Sequence, residues 1–238
     1  MNFDPAEYWS QANKDGNIER WNRIARRKMM VWKITVSMAG FLKRCLDVVG
    51  AIGALCAFSP IFALTILLIK LEDGGPVFFR QNRVGAGGRI FGMWKFRSMV
   101  VNADQIKDQL LTDNQHGATG VTFKMKNDPR ITKVGKWIRK LSIDEFPQFY
   151  NVLRGDMSLV GPRPPLPREV AEYKASHLRR LRVKPGITCL WQIGGRSEID
   201  FEGQVRLDLQ YIRSSGVLFD IAILLKTLPA VIFGKGAY

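Results

Sequence analysis

The sequence predicts an α+β fold, that of a monotopic membrane protein with a re-entrant helix-break-helix and a small cytoplasmic domain that carries amphipathic interfacial helices. Three observations lead to this prediction. An uncharged apolar run is broken at its middle by a Ser-Pro pair, a strand-turn-strand pattern follows it, and apolar residues recur at helical spacing in the second half. A chain of 238 residues, 46% of them hydrophobic, is long enough to bury one core and too apolar to be disordered.

The membrane prediction depends on residues 48–69, a run of 22 residues without a charge. A straight helix of that length would reach about 33 Å, which is enough to cross a bilayer once. Ser59 and Pro60 lie in the middle of the run. Because proline removes a helical hydrogen bond and clashes with the preceding turn, we expect a sharp kink at this pair.

Both flanks of the apolar run are basic, whereas a spanning segment usually carries its Lys and Arg residues on one side. The basic residues are Arg26, Arg27, Lys28, Lys33, Lys43 and Arg44 before the run, and Lys70, Arg80, Arg83 and Arg89 after it. A segment that enters and leaves through the cytoplasmic face agrees with both the kink and the charges; a single-pass anchor is the alternative by length. The chain therefore divides into a polar N-terminal extension (1–40), a re-entrant helix (41–70) and a cytoplasmic domain (71–238).

A β-hairpin is expected directly after the apolar run. Two strand-like stretches, Pro76–Gly85 and Arg89–Met99, flank the glycine-rich turn 85–88. Alternation in the second strand places apolar and basic side chains on opposite faces. The apolar face is Ile90, Trp94 and Phe96, and the basic face is Arg89, Lys95 and Arg97. Solvent exposure is one interpretation of these bases, and anion binding is the other.

Helical spacing recurs further along the chain. Apolar residues at such spacing predict helices over 101–112, after Pro167 and over Phe201–Ile212. The apolar stretch Val217–Phe233 is interrupted by charged residues and a proline, which favours an interfacial helix over a second span.

Composition excludes several classes of protein. The chain has 36 Lys and Arg residues against 21 Asp and Glu, a formal charge of +15, but no run of five like charges, so anionic lipid or an anionic substrate explains the excess as well as nucleic acid does. Three cysteines without a CxxC spacing argue against a cysteine zinc site, and two histidines 61 residues apart argue against a Ser-His-Asp triad. A phosphate-binding loop motif and a DxD motif are both absent.

The densest candidate for chemistry is the stretch Ser142–Pro164. Asp144 and Glu145 are adjacent, and Pro147 follows within one turn, so we expect a helix to begin at about Asp144. The acids are then either capping residues or an anion and Mg²⁺ site in which one carboxylate attacks a phosphorus. Attack of one anion on another requires charge neutralisation, and Arg139 and Arg163 are the arginines expected to supply it.

The string IDEFPQFYNVLRGDMSLVGPRP closely resembles the signature of the bacterial polyprenyl-phosphate hexose-1-phosphate transferases, the monotopic phosphoglycosyl transferases. The resemblance covers residues 41–238. It continues in Lys43–Asp47, Ser59-Pro60, Trp94–Met99, Lys184–Thr188 and the final Gly-Ala-Tyr.

The resemblance implies that Asp144 is the nucleophile, that Glu145 assists it and that Mg²⁺ binds at both. It also implies that Arg139 and Arg163 bind phosphate or nucleotide and that Ser59 and Pro60 form the re-entrant break. Lys95 and Arg97, in the matching Trp94–Met99 stretch, are expected to bind substrate phosphate as well.

The family reaction transfers a hexose-1-phosphate, here galactose or glucose, from a UDP-sugar to undecaprenyl phosphate through a phospho-aspartyl sugar. UMP is released, and assembly of a lipid-linked exopolysaccharide, capsule or O-antigen repeat unit begins. The expected location is the bacterial inner membrane with the catalytic domain on the cytoplasmic face. Nucleic acid is not an expected partner, and a homodimer is left open. The alternative function is a non-enzymatic, membrane-anchored basic adaptor.

Overall fold

The computed structural model describes residues 17–103, 128–195 and 199–232. It is mixed helix and sheet and mostly helical, which confirms the mixed fold class. By its internal contacts the chain divides into two units, residues 1–44 and 45–238. The predicted helix over 101–112 lies almost entirely outside the described residues.

Helix α1 (Asn17–Ala57) is 41 residues long, so the predicted polar extension is helical from residue 17 onward. Helix α2 (Ser59–Asp73) follows after one residue, and the two axes differ by 60°. In an unbroken helix the backbone N–H of residue 60 would donate to the Cys56 carbonyl, but Pro60 has no N–H. The Ser59 hydroxyl donates to that carbonyl instead, at 2.8 Å. The break at Ser59-Pro60 is therefore confirmed.

Among the described helices, none is by itself long and apolar enough to cross a membrane. The bent pair α1 and α2 meets the length and composition requirement together. Large apolar side chains on both helices face outward, including Trp32, Val49, Leu64 and Leu71.

The predicted hairpin is confirmed as strands β1 (Phe78–Val84) and β2 (Ile90–Phe96), paired antiparallel from Phe78 opposite Phe96 to Val84 opposite Ile90. Its apolar face is only partly as predicted: Phe96 is buried, but Ile90, at the end of the strand, is 64% exposed. The basic face is not solvated at Lys95 and Arg97, since Arg97 is buried and Lys95 is mostly covered.

The helices and strands that follow are short. They are α3 (Lys133–Lys140), α4 (Gln148–Arg154), β3 (Ser158–Val160), α5 (Pro167–Ala171), β4 (Gly186–Thr188), α6 (Leu190–Gly194), α7 (Phe201–Ser214) and α8 (Val217–Ile232). Strands β3 and β4 pair in parallel. The single helix expected after Pro167 is instead α5 and a separate 3₁₀ helix, His177–Arg182. The helix predicted over Phe201–Ile212 is confirmed as α7.

Helix α8 confirms the helix predicted near the C-terminus, but one of its polar interruptions has another cause. Asp220 is fully buried and accepts a hydrogen bond from the Tyr211 hydroxyl at 2.9 Å. This acid therefore fastens α8 to α7, while Leu218, Leu225 and Leu228 on α8 are exposed.

Strand β3 is central to the larger unit. Asp47, a buried residue of α1, accepts hydrogen bonds from the Ser158 hydroxyl (2.8 Å) and the Leu159 backbone N–H (2.9 Å). Gly50 lies one turn further along α1, and a Cβ there would come within 2.6 Å of the Leu159 side chain. The missing side chain of Gly50 thus lets the helix approach the strand closely.

Candidate active site

The two adjacent acids lie on a 3₁₀ turn, Ile143–Glu145, that links α3 to α4. Ser142 opens the turn with a φ of 56°, a left-handed conformation that is uncommon for a residue with a side chain. The Glu145 and Phe146 backbone N–H groups then donate three residues back, to Ser142 and Ile143. These bonds place both carboxylates on one tight turn.

The helix expected to begin at about Asp144 begins instead at Gln148, so that prediction is corrected. Pro147 has no N–H to donate to the Ile143 carbonyl, which accepts from Phe146 in the tighter 3₁₀ pattern. Pro147 stands before the first residue of α4. The acids are therefore not capping residues in the first turn of an α-helix.

Lys95 of β2 connects the hairpin to the acidic turn. Its ammonium nitrogen lies 2.9 Å from Glu145 Oε1 and 3.7 Å from Asp144 Oδ2. The three side chains are 13% to 21% exposed, so the cluster is mostly shielded from water. In such an environment an ion pair is stronger than on an open surface. The structure thus brings Asp144, Glu145 and Lys95 together.

The two carboxyls of this cluster titrate in opposite directions. Burial raises the pKa of Asp144 above its ordinary value, although Lys95 opposes the shift. Burial also acts to raise the pKa of Glu145, but Lys95, Arg163 and Arg83 outweigh it and lower that pKa to about 2. Glu145 is therefore the more acidic carboxyl, paired with Lys95, and Asp144 is the more basic one.

The turn Gly161–Pro165 carries Arg163 toward the acids. Hydrogen bonds to β4 hold the turn: Gly161 N donates to the Thr188 carbonyl (3.0 Å), and Gly186 N donates to the Pro162 carbonyl (2.9 Å). The Arg163 guanidinium lies 5.8 Å from the centre of the Trp191 ring. Its charge acts on both carboxyls, because it lowers the pKa of each.

Of the remaining predicted residues, Arg139 lies near the acids and Arg97 does not. The charge of Arg139, on α3, lowers the pKa of Asp144, so this residue is near the site. Arg97 is not brought to the acids: its guanidinium forms an ion pair with Asp73 and donates to the Pro76 carbonyl at 2.5 Å. That pairing joins the end of α2 to β2 and leaves a phosphate-binding role for Arg97 a prediction that the geometry does not favour.

Sequence reasoning did not identify two residues that build the site. Asn151 of α4 is fully buried; its Oδ1 accepts from Trp94 N (2.9 Å) and its Nδ2 donates to the Gly92 carbonyl (2.8 Å). These bonds fix α4 beside Lys95. The second is Arg83, whose charge acts on Glu145. A polar Asn in an otherwise apolar turn of α4 was the available signal for the first residue, but the chain gives no local signal for the second.

A magnesium ion fits the acids under one condition. Among residues 17–103, 128–195 and 199–232, no group of three or more His, Cys, Asp or Glu side chains is placed to hold a metal. Asp144 and Glu145 supply two carboxylates, and Mg²⁺ often binds through one or two carboxylates, water and substrate phosphates. The donor set therefore suits Mg²⁺ when a phosphate completes the coordination.

A family model described as bacterial sugar transferase matches residues 38–234. The chain belongs to the bacterial sugar transferase family. This confirms the family and the enzyme class predicted from Ile143–Pro164. It also means that the adaptor alternative loses its main support, since the acidic turn lies inside a transferase domain.

Three relatives of this bacterial sugar transferase show how much of each protein is shared. The galactosyl transferase CpsE of Streptococcus agalactiae serotype III (strain NEM316) is 56% identical over 196 residues, which are 82% of this chain and 43% of that protein. The exopolysaccharide production protein ExoY of Rhizobium meliloti (strain 1021) is 41% identical over 203 residues, 84% of this chain and 90% of that protein. The undecaprenyl-phosphate galactose phosphotransferase of Salmonella typhimurium (strain LT2) is 44% identical over 201 residues, which are 83% of this chain and 42% of that protein. The chain thus spans less than half of two relatives and nine-tenths of the third.

Proposed function

We propose that this sugar transferase moves a hexose-1-phosphate from a UDP-hexose to undecaprenyl phosphate and so starts a lipid-linked repeat unit of an exopolysaccharide or capsule. The observation that carries the proposal is the cluster of Asp144, Glu145 and Lys95 with Arg163 acting on both acids. The relative from Salmonella, named for transfer to undecaprenyl phosphate, supports the acceptor. The exopolysaccharide name of the Rhizobium relative supports the pathway class.

In the first step, a carboxylate oxygen of Asp144 attacks the sugar-bearing phosphorus. The bond from that phosphorus to the bridging oxygen breaks, and UMP leaves with the bonding electrons. In the second step, an oxygen of the lipid phosphate attacks the same phosphorus, and its bond to Asp144 breaks, which restores the carboxylate. Atoms and charge balance without an additional reactant.

Lys95 and Arg163 have different roles in this mechanism. Lys95, held by Glu145 at 2.9 Å, places a positive charge 3.7 Å from Asp144 Oδ2, where the anionic donor must approach. Arg163 adds charge on the side of the Gly161–Pro165 turn. Mg²⁺, bound by Asp144 and Glu145, would neutralise phosphate charge and orient the diphosphate.

The membrane placement is part of the proposal. The 60° bend at Ser59-Pro60, the outward apolar side chains and the basic flanks support a re-entrant anchor at the bacterial inner membrane, with the site on the cytoplasmic face. The exposed leucines of α8 suit an interfacial position. Such placement keeps the acidic turn near the level of lipid headgroups, where undecaprenyl phosphate presents its phosphate.

Galactose is the donor sugar to test first, because the relatives from Streptococcus and Salmonella are named for it; glucose is the second. Purified protein would be incubated with Mg²⁺, undecaprenyl phosphate and each UDP-sugar in turn. UMP release supports the proposal and identifies the sugar, whereas UDP release would mean glycosyl transfer and would overturn the role of Asp144.

Asp144→Asn is the decisive variant, since it removes the attacking charge with almost no change in volume. We expect UMP release to fall by about 10³-fold or more. Glu202→Gln is the control, because it removes one carboxylate charge from an exposed residue that pairs with Lys174 (3.7 Å) and His177 (3.3 Å) rather than with the acidic turn. Activity of Asp144→Asn equal to that of the control would contradict the mechanism.

A further inference from the structure

Arg83, near the end of β1, is a buried arginine that has no carboxylate partner among the described residues. Its side chain is 7% exposed. The guanidinium donates to the Pro164 carbonyl at 2.9 Å and to Gln81 Oε1 at 3.1 and 2.7 Å. These acceptors are all neutral, and within the described part of the chain no carboxylate oxygen lies within 4.0 Å of it.

The surroundings of Arg83 are unfavourable for a cation. Burial lowers the pKa of the Arg83 guanidinium to about 10, and the nearby charge of Arg163 adds to the shift, although Glu169 and Glu145 oppose it. Removing a charge from water is unfavourable unless a partner compensates, and a second cation makes it more so. Buried charges that fold stability does not explain are commonly found where a charged ligand binds.

Arg83 is also attached to the turn that carries Arg163. The carbonyl that it binds belongs to Pro164, the residue directly after Arg163. The next residue of β1, Val84, donates its backbone N–H to the Pro165 carbonyl at 2.9 Å. Strand β1 therefore holds this turn at two consecutive carbonyls, and one of these bonds is made by a side chain.

We propose that Arg83 is a positioning residue: it fixes the Gly161–Pro165 turn so that Arg163 forms a subsite for a phosphoryl group of the substrate. The inference rests on the proposed function, and it assigns a task to a side chain that does not touch the acidic pair. The phosphoryl group belongs either to the UDP-sugar or to the lipid phosphate, and the KM measured for each substrate distinguishes the two.

Arg83→Gln and Arg83→Lys test the proposal against the control Arg80→Gln. Arg80 is three residues earlier on β1, is exposed, and lies 5.9 Å from the Trp94 ring, so its loss removes the same charge without touching the turn. Because hydrogen bonds to a charged group contribute about 1.5–3 kcal/mol, we expect Arg83→Gln to raise one KM by about tenfold or more. Arg83→Lys keeps the charge but not the planar fork, so its KM should lie between those of Arg83→Gln and the wild type.

A rise in the KM for UDP-sugar places the nucleotide at the subsite, and a rise in the KM for undecaprenyl phosphate places the lipid there. The double variant Arg83→Gln/Arg163→Gln separates positioning from general damage: if Arg83 acts through Arg163, the double variant loses little more than Arg163→Gln alone. Full additivity, or constants equal to those of Arg80→Gln, would overturn the proposal.

Failure of the proposed function is recognised separately, because the wild type would then release no UMP. In that case UDP itself is the probe, and its stabilisation of the wild type against heat is compared with that of Arg83→Lys, the variant that retains charge and is most able to fold. Undecaprenyl phosphate is tested in the same way. Weaker stabilisation of Arg83→Lys by either compound supports the subsite, and equal stabilisation by both overturns it.

Discussion

Gly186 lies where two backbone segments approach so closely that even one methyl group has no room. A Cβ built on Gly186 would lie 2.0 Å from the Gly161 nitrogen, 2.6 Å from the Val160 carbonyl carbon and 2.7 Å from the Gly161 Cα. All three are backbone atoms, so no side chain can rotate away. Gly186→Ala must therefore push β4 away from the start of the turn that carries Arg163.

The size of the effect follows from the atoms that must move. Overpacking a well-packed core costs about 1–3 kcal/mol, and an obstacle made of backbone atoms favours the upper end. The displacement also strains the Gly186 N–H to Pro162 carbonyl bond of 2.9 Å. Because 1 kcal/mol corresponds to about 2–4 °C in a domain of this size, we expect Tm to fall by about 6–12 °C.

Gly216→Ala is the matched control, since a Cβ at Gly216 meets nothing within 4 Å. Gly216 directly precedes α8, and alanine is less favourable than glycine at that position, so we expect Gly216→Ala to cost no more than about 1 kcal/mol, well below Gly186→Ala. Both variants of the full chain would be heated in detergent while tryptophan fluorescence is recorded, and UMP release would be measured on the same samples. A Gly186→Ala protein that melts together with Gly216→Ala and keeps wild-type activity would refute the reasoning.

Two further predictions concern charged groups. Burial of Asp208, only partly offset by Arg180, raises its pKa from 3.8 to about 6. The contribution of Asp208 to the free energy of unfolding is therefore fully present below pH 3.8 and is lost as the pH rises to about 6. Asp208→Asn should therefore remove a slope of about 1.4 kcal/mol per pH unit from the free energy of unfolding in that window, measured with urea; an unchanged slope would contradict the pKa. Lys95→Met should raise the pKa of Glu145 from about 2 and lower UMP release by about 10²-fold or more, with Lys95→Arg between this variant and wild type. Equal rates for the Met and Arg variants would show that the charge of Lys95 is not required.

The features that sequence predicted well are those fixed by neighbouring residues. The bend at Ser59-Pro60 requires only a proline that cannot donate and a serine hydroxyl one residue earlier that can. The hairpin requires a glycine-rich turn between two alternating stretches. Each has its cause within about five residues, so local chemistry suffices to predict it.

The features that were missed depend on long-range contacts or on unusual backbone. Lys95 reaches Glu145 across 50 positions, and Arg83 reaches Pro164 across 81. Alternating apolar and polar residues predict which side chains share one face of a strand, but not which helix or turn packs against that face. The helix start was misplaced because Phe146 rather than Pro147 donates to the Ile143 carbonyl, so the acids lie on a 3₁₀ turn. Ser142 opens that turn with a positive φ, which its residue type does not predict. The sequence singled out the two acids as candidates, whereas their arrangement beside Lys95 required the fold.

Strand β3, although only three residues long, is joined to something different at each edge. Asp47 of α1 is bonded at Ser158 and Leu159, while β4 is bonded along the opposite edge. The Arg163 turn follows β3 directly in the chain and is itself hydrogen-bonded to β4. The apolar helix and the turn are therefore coupled through one short rigid element, without a flexible linker between them. If the chain lies in the membrane as proposed, the fold fixes the distance between the active site and the bilayer. The lipid phosphate must then reach the site by lateral diffusion in the membrane, because the distance between the site and the bilayer does not change.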